Sequence, residues 1–268
     1  MNPLQIVGRT PKSNCGQCGH PTCLAFAAQV CLAGEDPSKC PFLDTKGLDL
    51  PTVSTANLED AGRQRDLALV QHLKEKVAGL DLPTIAPALG ALVDQHNPKI
   101  LTFSYLGQEV RLDQDGILLD GKSPEDPRDM ILLYNYVHVG GGSGLSGEWV
   151  GLESLPNSIS KVKTLSVYGE KPLAELLQGA DAVHIAQHFS VLGGTAVPES
   201  TADASFIIPV LPMIPLQIHF WEADLEDDFP AEAKILFDRN VLDYLDIESL
   251  VFTAERLADR LSLLFRVV

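Results

Sequence analysis

The sequence lacks a long uninterrupted apolar stretch, so no membrane span is expected. A helical span needs about 20 consecutive apolar residues, whereas the best apolar run, residues 206–216, is interrupted by Pro209, Pro212 and Pro215. The N-terminal segment MNPLQIVGRTPKSN also lacks the basic start and apolar core of a signal peptide. We therefore expect a cytoplasmic protein.

Basic residues are scarce in this chain. The 268 residues include 20 Lys and Arg against 36 Asp and Glu, which gives a net charge of −16. Such a field repels phosphate backbones and anionic membranes. Nucleic acid is therefore not expected as a partner.

Cysteine is absent from residues 41–268, and all five cysteines fall within the first 40 positions. This shift in composition indicates a separate module, and in the cytoplasm clustered cysteines favour metal binding over disulfides. A polar stretch follows. We predict a module in residues 1–45, a linker at 46–57 and a larger domain over 58–268.

Helical and strand patterns alternate irregularly in the larger domain. Apolar stripes predict helices from Asn57, over 84–93, from Asp126 to Gly140, over 171–189 and from Asp246 onward. Short runs predict a β-meander over 99–122 and further strands at 149–152, 206–221 and 235–237. Prolines would confine the 206–221 strand to an edge or a bulge. The fold class is therefore α+β, a small helical module followed by a larger mixed domain with antiparallel strands.

Four cysteines show the spacing C-x2-C-x4-C-x16-C. They are Cys15, Cys18, Cys23 and Cys40. Zinc and iron–sulfur clusters both accept four thiolates. Zinc sites usually have two separated C-x2-C pairs, whereas Gly16, Gly19 and Pro41, each next to a cysteine, favour an iron–sulfur cluster. Zinc and unligated structural cysteines are the alternatives.

The segment around these cysteines resembles the 4Fe–4S module of the corrinoid iron–sulfur protein large subunit. That subunit is also the gamma subunit of acetyl-CoA decarbonylase/synthase, and the B subunit of the Rnf complex has a similar module. The matching positions are Asn14, Cys15, Gly16, Cys18, Gly19, Thr22, Cys23, Ala25, Phe26, Ala27, Gly34, Cys40 and Pro41. The resemblance implies that the four spaced cysteines bind one 4Fe–4S cluster.

The larger domain resembles a prokaryotic domain of unknown function that is often fused to this module. The resemblance rests on residues 127–136, 147–150 and 230–238. Neither a corrinoid-binding domain nor a second ferredoxin cysteine set is visible in the sequence. The resemblance therefore implies no activity and no ligand for this domain.

Four cysteine ligands leave no open iron, and the radical-SAM spacing C-x3-C-x2-C is absent. We therefore predict an iron–sulfur protein that transfers single electrons or assists a redox partner protein, and the resemblance implies a corrinoid or one-carbon setting. The alternative is a ligand-binding or regulatory protein whose cluster is structural or senses oxygen. No catalytic triad or nucleophile elbow is visible, so enzymatic activity is left open.

Several weaker patterns have ordinary structural interpretations. Cys31 is interpreted as a small buried hydrophobe rather than a redox thiol. Residues 142–147 match GxGxxG but follow a helix, so a loop is favoured over a nucleotide site or a mobile lid. His184 and His188 share a helix face but lack the glutamate of the HExxH zinc motif. His20 lies between two of the spaced cysteines, but a site with four cysteines needs no fifth ligand.

Acidic residues are concentrated between positions 222 and 248. Ten acids there are opposed by Lys234 and Arg239. The segment lacks the EF-hand pattern of calcium sites. A solvated loop is the first interpretation, and a docking face for a basic redox partner is the second.

Overall fold

The computed structural model describes residues 3–32, 35–45, 55–180, 182–198, 200–224 and 228–266. The chain divides into two compact units, residues 1–68 and 69–268. Residues 46–54, most of the predicted linker, lie outside the described residues. Across the described ranges, no helix has both the length and the apolar character that a membrane crossing requires.

The first unit contains a small helical module. Helix α1 spans Pro3–Val7, α2 spans Cys23–Leu32, and a 3-10 turn covers Pro37–Lys39. Thr22 Oγ1 accepts a hydrogen bond from the Ala25 N–H at 3.0 Å, so Thr22 caps α2. A small core joins these elements and consists of Ile6, Phe26, Ala27, Val30, Cys40 and Leu43.

Helix α3 spans Thr55–Ala78 and runs across the boundary between the two units. Asn57, the expected N-cap, lies inside the helix. Leu73 and Val77 are buried, whereas Leu69 is 42% exposed. The predicted apolar stripe therefore holds only in the last two turns.

The single helix predicted over residues 84–93 is wrong. Helix α4 spans Leu82–Ile85 and passes into a 3-10 turn over Ala86–Leu89. Gly90 then adopts the left-handed conformation, with a φ of 61°, that commonly ends a helix. The chain continues as strand β1, Leu92–Val93.

The first sheet is the predicted β-meander with β1 added at its edge. Its further strands are β2 (Leu101–Tyr105), β3 (Gln108–Leu112) and β4 (Ile117–Leu119). All neighbours are antiparallel, in the order β1-β2-β3-β4. Alternate side chains of β2 are buried, as a sheet with one covered face requires.

Helix α5 (Pro127–Val139) forms where it was predicted. Helix α6 (Ile159–Leu165) was not predicted. The helical region predicted over 171–189 consists of two helices, α7 (Lys171–Leu177) and α8 (Ala182–Val191). The Asp126 side chain accepts a hydrogen bond from the Arg128 N–H, and Gly140 ends α5 with a φ of 79°. A π-helical segment, Ser166–Glu170, joins α6 to α7.

The second sheet has five antiparallel strands in the order β5-β9-β8-β7-β6. They are β5 (Trp149–Gly151), β6 (Thr195–Ala196), β7 (Ala204–Leu211), β8 (Ile214–Trp221) and β9 (Glu232–Asp238). The proline-rich run is thus a hairpin of two inner strands. Of the two places that the prolines allowed, an edge or a bulge, the edge is therefore excluded.

Two prolines face each other at the turn end of this hairpin. Pro209 pairs with Pro215, beside a register shift between Pro209 and Leu211. Strand β6 pairs only as far as Ile207, and β9 only as far as Leu216. Among the described strands, no second strand therefore pairs beside either proline. The missing N–H of each proline thus costs no hydrogen bond of the sheet. The predicted bulge is confirmed.

Helix α9 spans Ile247–Phe265 and begins where it was predicted. Asp246 caps it, because its Oδ1 accepts a hydrogen bond from the Ser249 N–H at 2.9 Å. Its buried face consists of Leu250, Val251, Thr253, Ala254, Leu257, Ala258 and Leu261. Helices and antiparallel sheets thus occur together, and the α+β prediction is confirmed.

Candidate metal centre

The four spaced cysteines line one small cavity in the first unit. Cys15 and Cys18 lie in the loop between α1 and α2, Cys23 is the first residue of α2, and Cys40 follows the 3-10 turn. The fold therefore brings together all the cysteines that the spacing singled out.

Left-handed backbone conformations shape the loop that carries Cys15 and Cys18. Gly16 and Gly19 have φ values of 72° and 84°, and Asn14 has a φ of 49°. Glycine adopts this region without a steric penalty, and Asn tolerates it better than most residues. The Gly19 N–H donates to the Gly16 carbonyl at 2.9 Å, which closes a tight turn around Cys18.

Asn14 fastens this loop to the start of α2. Its Oδ1 accepts a hydrogen bond from the Cys23 N–H at 2.9 Å. That N–H is one of the donors that a helix start leaves without an intrahelical partner. Asn14 and the Thr22 cap therefore fix the position of Cys23 through the backbone, which explains both residues without any contact to a metal.

An ion-paired bridge connects the cysteine loop to the segment before Cys40. His20 Nε2 lies 2.7 Å from Glu35 Oε2, and Lys39 Nζ lies 2.8 Å from Glu35 Oε1. The hydrogen bonds from Lys39 and then from His20 lower the pKa of Glu35. His20 lines the cavity and is held by Glu35. The i,i+4 spacing of Glu35 and Lys39 is a sequence signal for their pair, but the contact with His20 depends on the fold.

The four thiols differ in exposure. Cys15 is exposed, Cys18 and Cys23 are half-buried, and Cys40 is buried. A hydrogen bond from the Gln17 backbone N–H lowers the pKa of Cys15. A lower pKa favours the thiolate, which is the form that binds metals.

Cys31 does not line the cavity as the described residues define it. It is half-buried on α2 and packs against the small core of the first unit, which fits its interpretation as a small hydrophobe.

Within the described ranges, no three His, Cys, Asp or Glu side chains lie close enough to share a single metal ion.

His184 and His188 do not form a metal-binding pair. His188 Nδ1 lies 2.7 Å from the His184 carbonyl oxygen, and its ring stacks on Phe265 with 4.1 Å between the ring centroids. His188 is 9% exposed. It is therefore a core histidine.

The glycine-rich loop at residues 142–147 binds a carboxylate of its own chain. Asp238 accepts hydrogen bonds from the N–H groups of Ser146 at 3.0 Å and Gly147 at 2.7 Å. The loop follows α5 and precedes β5, the reverse of the order in a dinucleotide site. These two N–H groups are already satisfied, so the loop interpretation is confirmed and no phosphate is needed to explain it.

Several acids of the 222–248 segment accept hydrogen bonds from the backbone. Asp238 is 1% exposed, so the solvated-loop interpretation is wrong for it. Glu222 and Asp246 are exposed, but each accepts a hydrogen bond from a backbone N–H. Glu226 and Asp227 lie outside the described residues.

The cysteine module defines the class of the chain, an iron–sulfur protein: residues 11–42 match the family described as "Putative Fe-S cluster". The second unit defines the family. Residues 81–260, more than half of the chain, match "Domain of unknown function (DUF3786)", and the chain belongs to this family.

Similar curated proteins match only the cysteine module. The corrinoid/iron-sulfur protein large subunit of Moorella thermoacetica is 45% identical over 43 residues, 16% of this chain and 10% of that protein. The acetyl-CoA decarbonylase/synthase complex subunit gamma 1 of Methanosarcina thermophila is 43% identical over 42 residues, 16% of this chain and 9% of that protein. The chain thus spans about a tenth of the length of these relatives. No solved structure matches it.

Proposed function

We propose that the chain binds one 4Fe–4S cluster through four thiolates, those of Cys15, Cys18, Cys23 and Cys40. The observation that carries this proposal is the single cavity that all four cysteines line. The turn at Gly16–Gly19 and the caps on α2 support it, because they hold the thiols in place without any metal contact of their own.

Residues of this chain prepare the site in two ways. The Gln17 N–H favours the thiolate of Cys15, and the His20–Glu35 pair ties the loop to the segment that presents Cys40. When bound, a cluster with four cysteine ligands supplies one-electron transfer and has no open iron for a substrate.

Electron exchange with a partner protein is the function that this arrangement supports best. Cys15 is exposed, so the shortest path to a partner begins there. The net charge of −16 favours a partner with a basic docking face. The relatives are named as corrinoid and acetyl-CoA decarbonylase/synthase subunits, and we infer a redox partner in a corrinoid or one-carbon system. The DUF3786 domain would dock that partner or bind a ligand.

A structural role for the cluster is the second candidate, and the size of the first unit favours it. Its core consists of a few short side chains and one phenylalanine. Chains of about 40 residues seldom bury enough apolar surface to fold without a metal or disulfides. In this case the protein is a ligand-binding or regulatory protein whose cluster stabilises the module or senses oxygen.

Metal and sulfide analysis of protein purified without oxygen tests the cluster. We expect about four irons and four sulfides per chain. Replacing any one of the four cavity cysteines by Ser should lower both values. Cys31→Ser is the matched control on α2 and should leave them unchanged. Stoichiometric zinc without sulfide would contradict the proposal.

Redox titration followed by paramagnetic resonance separates the two functions. Reversible one-electron reduction at a low potential would support electron transfer. A cluster that cannot be reduced, and whose removal unfolds the first unit, would support the structural role instead.

A further inference from the structure

The second unit contains a cavity of about 400 Å³ that no sequence motif indicates. Its volume lies in the range of small-molecule sites, about 300–1,000 Å³. The wall is mostly apolar and includes Val77 of α3, Leu82 of α4 and Leu112 of β3. A ligand with an apolar body would fit such a wall.

A tyrosine hydroxyl that no described side chain or backbone group contacts by a hydrogen bond lies at this cavity. Tyr134 lines the cavity and is 2% exposed, yet nothing in the described part of the chain hydrogen-bonds its hydroxyl. Hydrogen-bond partners are present at the three other buried tyrosines, Tyr105, Tyr136 and Tyr244. Burial raises the pKa of Tyr134 to about 12, so the hydroxyl remains a donor at neutral pH.

Two lysines line the same cavity in an otherwise acidic chain. Lys74 donates to the Asp115 carbonyl oxygen, and neither Lys74 nor Lys99 is ion-paired within the residues that the structure describes. A Cβ built on Gly116 would lie 3.8 Å from Tyr134 Oη and 3.9 Å from Lys74 Nζ. The hydroxyl and the ammonium group therefore lie within about 8 Å of each other, both beside Gly116.

The carboxylates in the wall already have partners. Asp81 Oδ2 accepts a hydrogen bond from the Thr84 hydroxyl at 2.7 Å. Asp113 Oδ1 accepts one from the Asp115 N–H at 2.9 Å, and its Oδ2 lies 3.4 Å from Arg111 Nε. The two lysines, the tyrosine and Gln114 are the lining side chains left to recognise a ligand, and each of them can donate a hydrogen bond to an anion.

We propose that this cavity binds a small carboxylic acid with an apolar body. Its carboxylate would accept hydrogen bonds from Tyr134 and Lys74 and face the charge of Lys99 at the mouth. Its body would lie against the apolar wall. Binding would be independent of the cluster, because the whole cavity lies in the second unit.

Isothermal titration calorimetry of the full-length protein with octanoate and 3-phenylpropionate tests this site. At least one acid should bind at one site per chain, and its neutral amide should bind about tenfold more weakly, because a charge-assisted hydrogen bond is lost. Tyr134→Phe and Lys99→Gln should each weaken binding about fivefold or more. Lys163→Gln, an exposed lysine elsewhere in this unit, should bind like the unmodified protein.

Thermal melts without ligand separate binding from folding. Tyr134→Phe should not lower the melting temperature, because the hydroxyl has no partner to lose. Ala78→Trp, which places a large ring on the cavity wall, should abolish binding while the protein stays folded. The proposal is overturned if neither acid binds, if the amides bind equally well, or if these variants bind as the unmodified protein does.

Discussion

Replacing Arg256 by Met should destabilise the second unit strongly. Arg256 on α9 donates to both carboxylate oxygens of Asp129 on α5, at 2.8 Å from Nε and 2.6 Å from Nη2. The Tyr105 hydroxyl on β2 donates to the same carboxylate at 2.8 Å. Asp129 is 4% exposed. The substitution therefore leaves a buried carboxylate without its cation.

The magnitude follows from this burial. Removing one partner of a buried ion pair costs about 3–5 kcal/mol. The Arg256 side chain is 24% exposed, so water screens part of the interaction. We therefore expect a loss at the lower end, about 3 kcal/mol.

Arg128→Met is a matched control. The Arg128 and Arg256 guanidinium carbons lie 5.1 and 5.8 Å from the Phe252 ring centroid, so both substitutions remove a similar cation–π contact. Arg128, however, is 47% exposed and pairs with Asp126 near the surface. Its loss should cost about 0–1 kcal/mol.

Urea unfolding of the whole chain, followed by far-UV circular dichroism, measures both effects. Adding Asp129→Asn to Arg256→Met should recover part of the loss, because no unpaired charge then remains in the core. If the two arginine variants differ by less than about 1 kcal/mol, the buried pair does not stabilise the fold in the way described.

Three further predictions concern the loop at residue 238, the cysteine loop and the division of the chain. Burial alone would raise the pKa of Asp238, but hydrogen bonds from backbone N–H groups outweigh it and keep this pKa below its ordinary value. The stabilisation by ionised Asp238 is therefore complete above about pH 4 and is lost as the pH falls through the folded-state pKa. In a plot of the free energy of unfolding against pH, Asp238→Asn should flatten the acid side. An unchanged plot would contradict this prediction. Asn14→Ala removes the hydrogen bond to the Cys23 N–H and should lower the free energy of unfolding by about 1 kcal/mol. In the presence of a chelator, this variant should also lose the absorbance of the cluster faster. Lys12→Ala should change neither value. A chain that begins at Thr55 should be soluble, free of iron and cooperative in urea unfolding, and recovery of aggregate alone would show that the units share one core.

Elements with local signals could be predicted from the sequence. Helices α5 and α9 begin at capping aspartates, Asp126 and Asp246, and α5 ends at Gly140. Residues next to these helices in the sequence therefore indicate where they begin or end. The cavity lined by the four cysteines could be predicted for a similar reason. Four thiols at fixed spacing within one short segment have few ways to converge.

Features that depend on distant contacts could not be predicted. The helix predicted over residues 84–93 overlooked two local signals, Pro87 and the left-handed Gly90, whereas the close approach of Gly90 to Pro212, 2.8 Å from an added Cβ, depends on the fold. Likewise, the cavity around Tyr134 draws its walls from four separated segments. Lys74, Lys99 and Tyr134 share no spacing that a sequence pattern could reveal.

The facing prolines of the β7–β8 hairpin restrict how its strands can align. A slip of two residues would move Pro215 into the stretch that β9 pairs, where a backbone donor is needed. A slip of one residue would turn the side chains of the strand that slips toward the opposite face. The prolines therefore disfavour the slip of β8 that carries Pro215 alongside β9, because a ladder hydrogen bond is lost there.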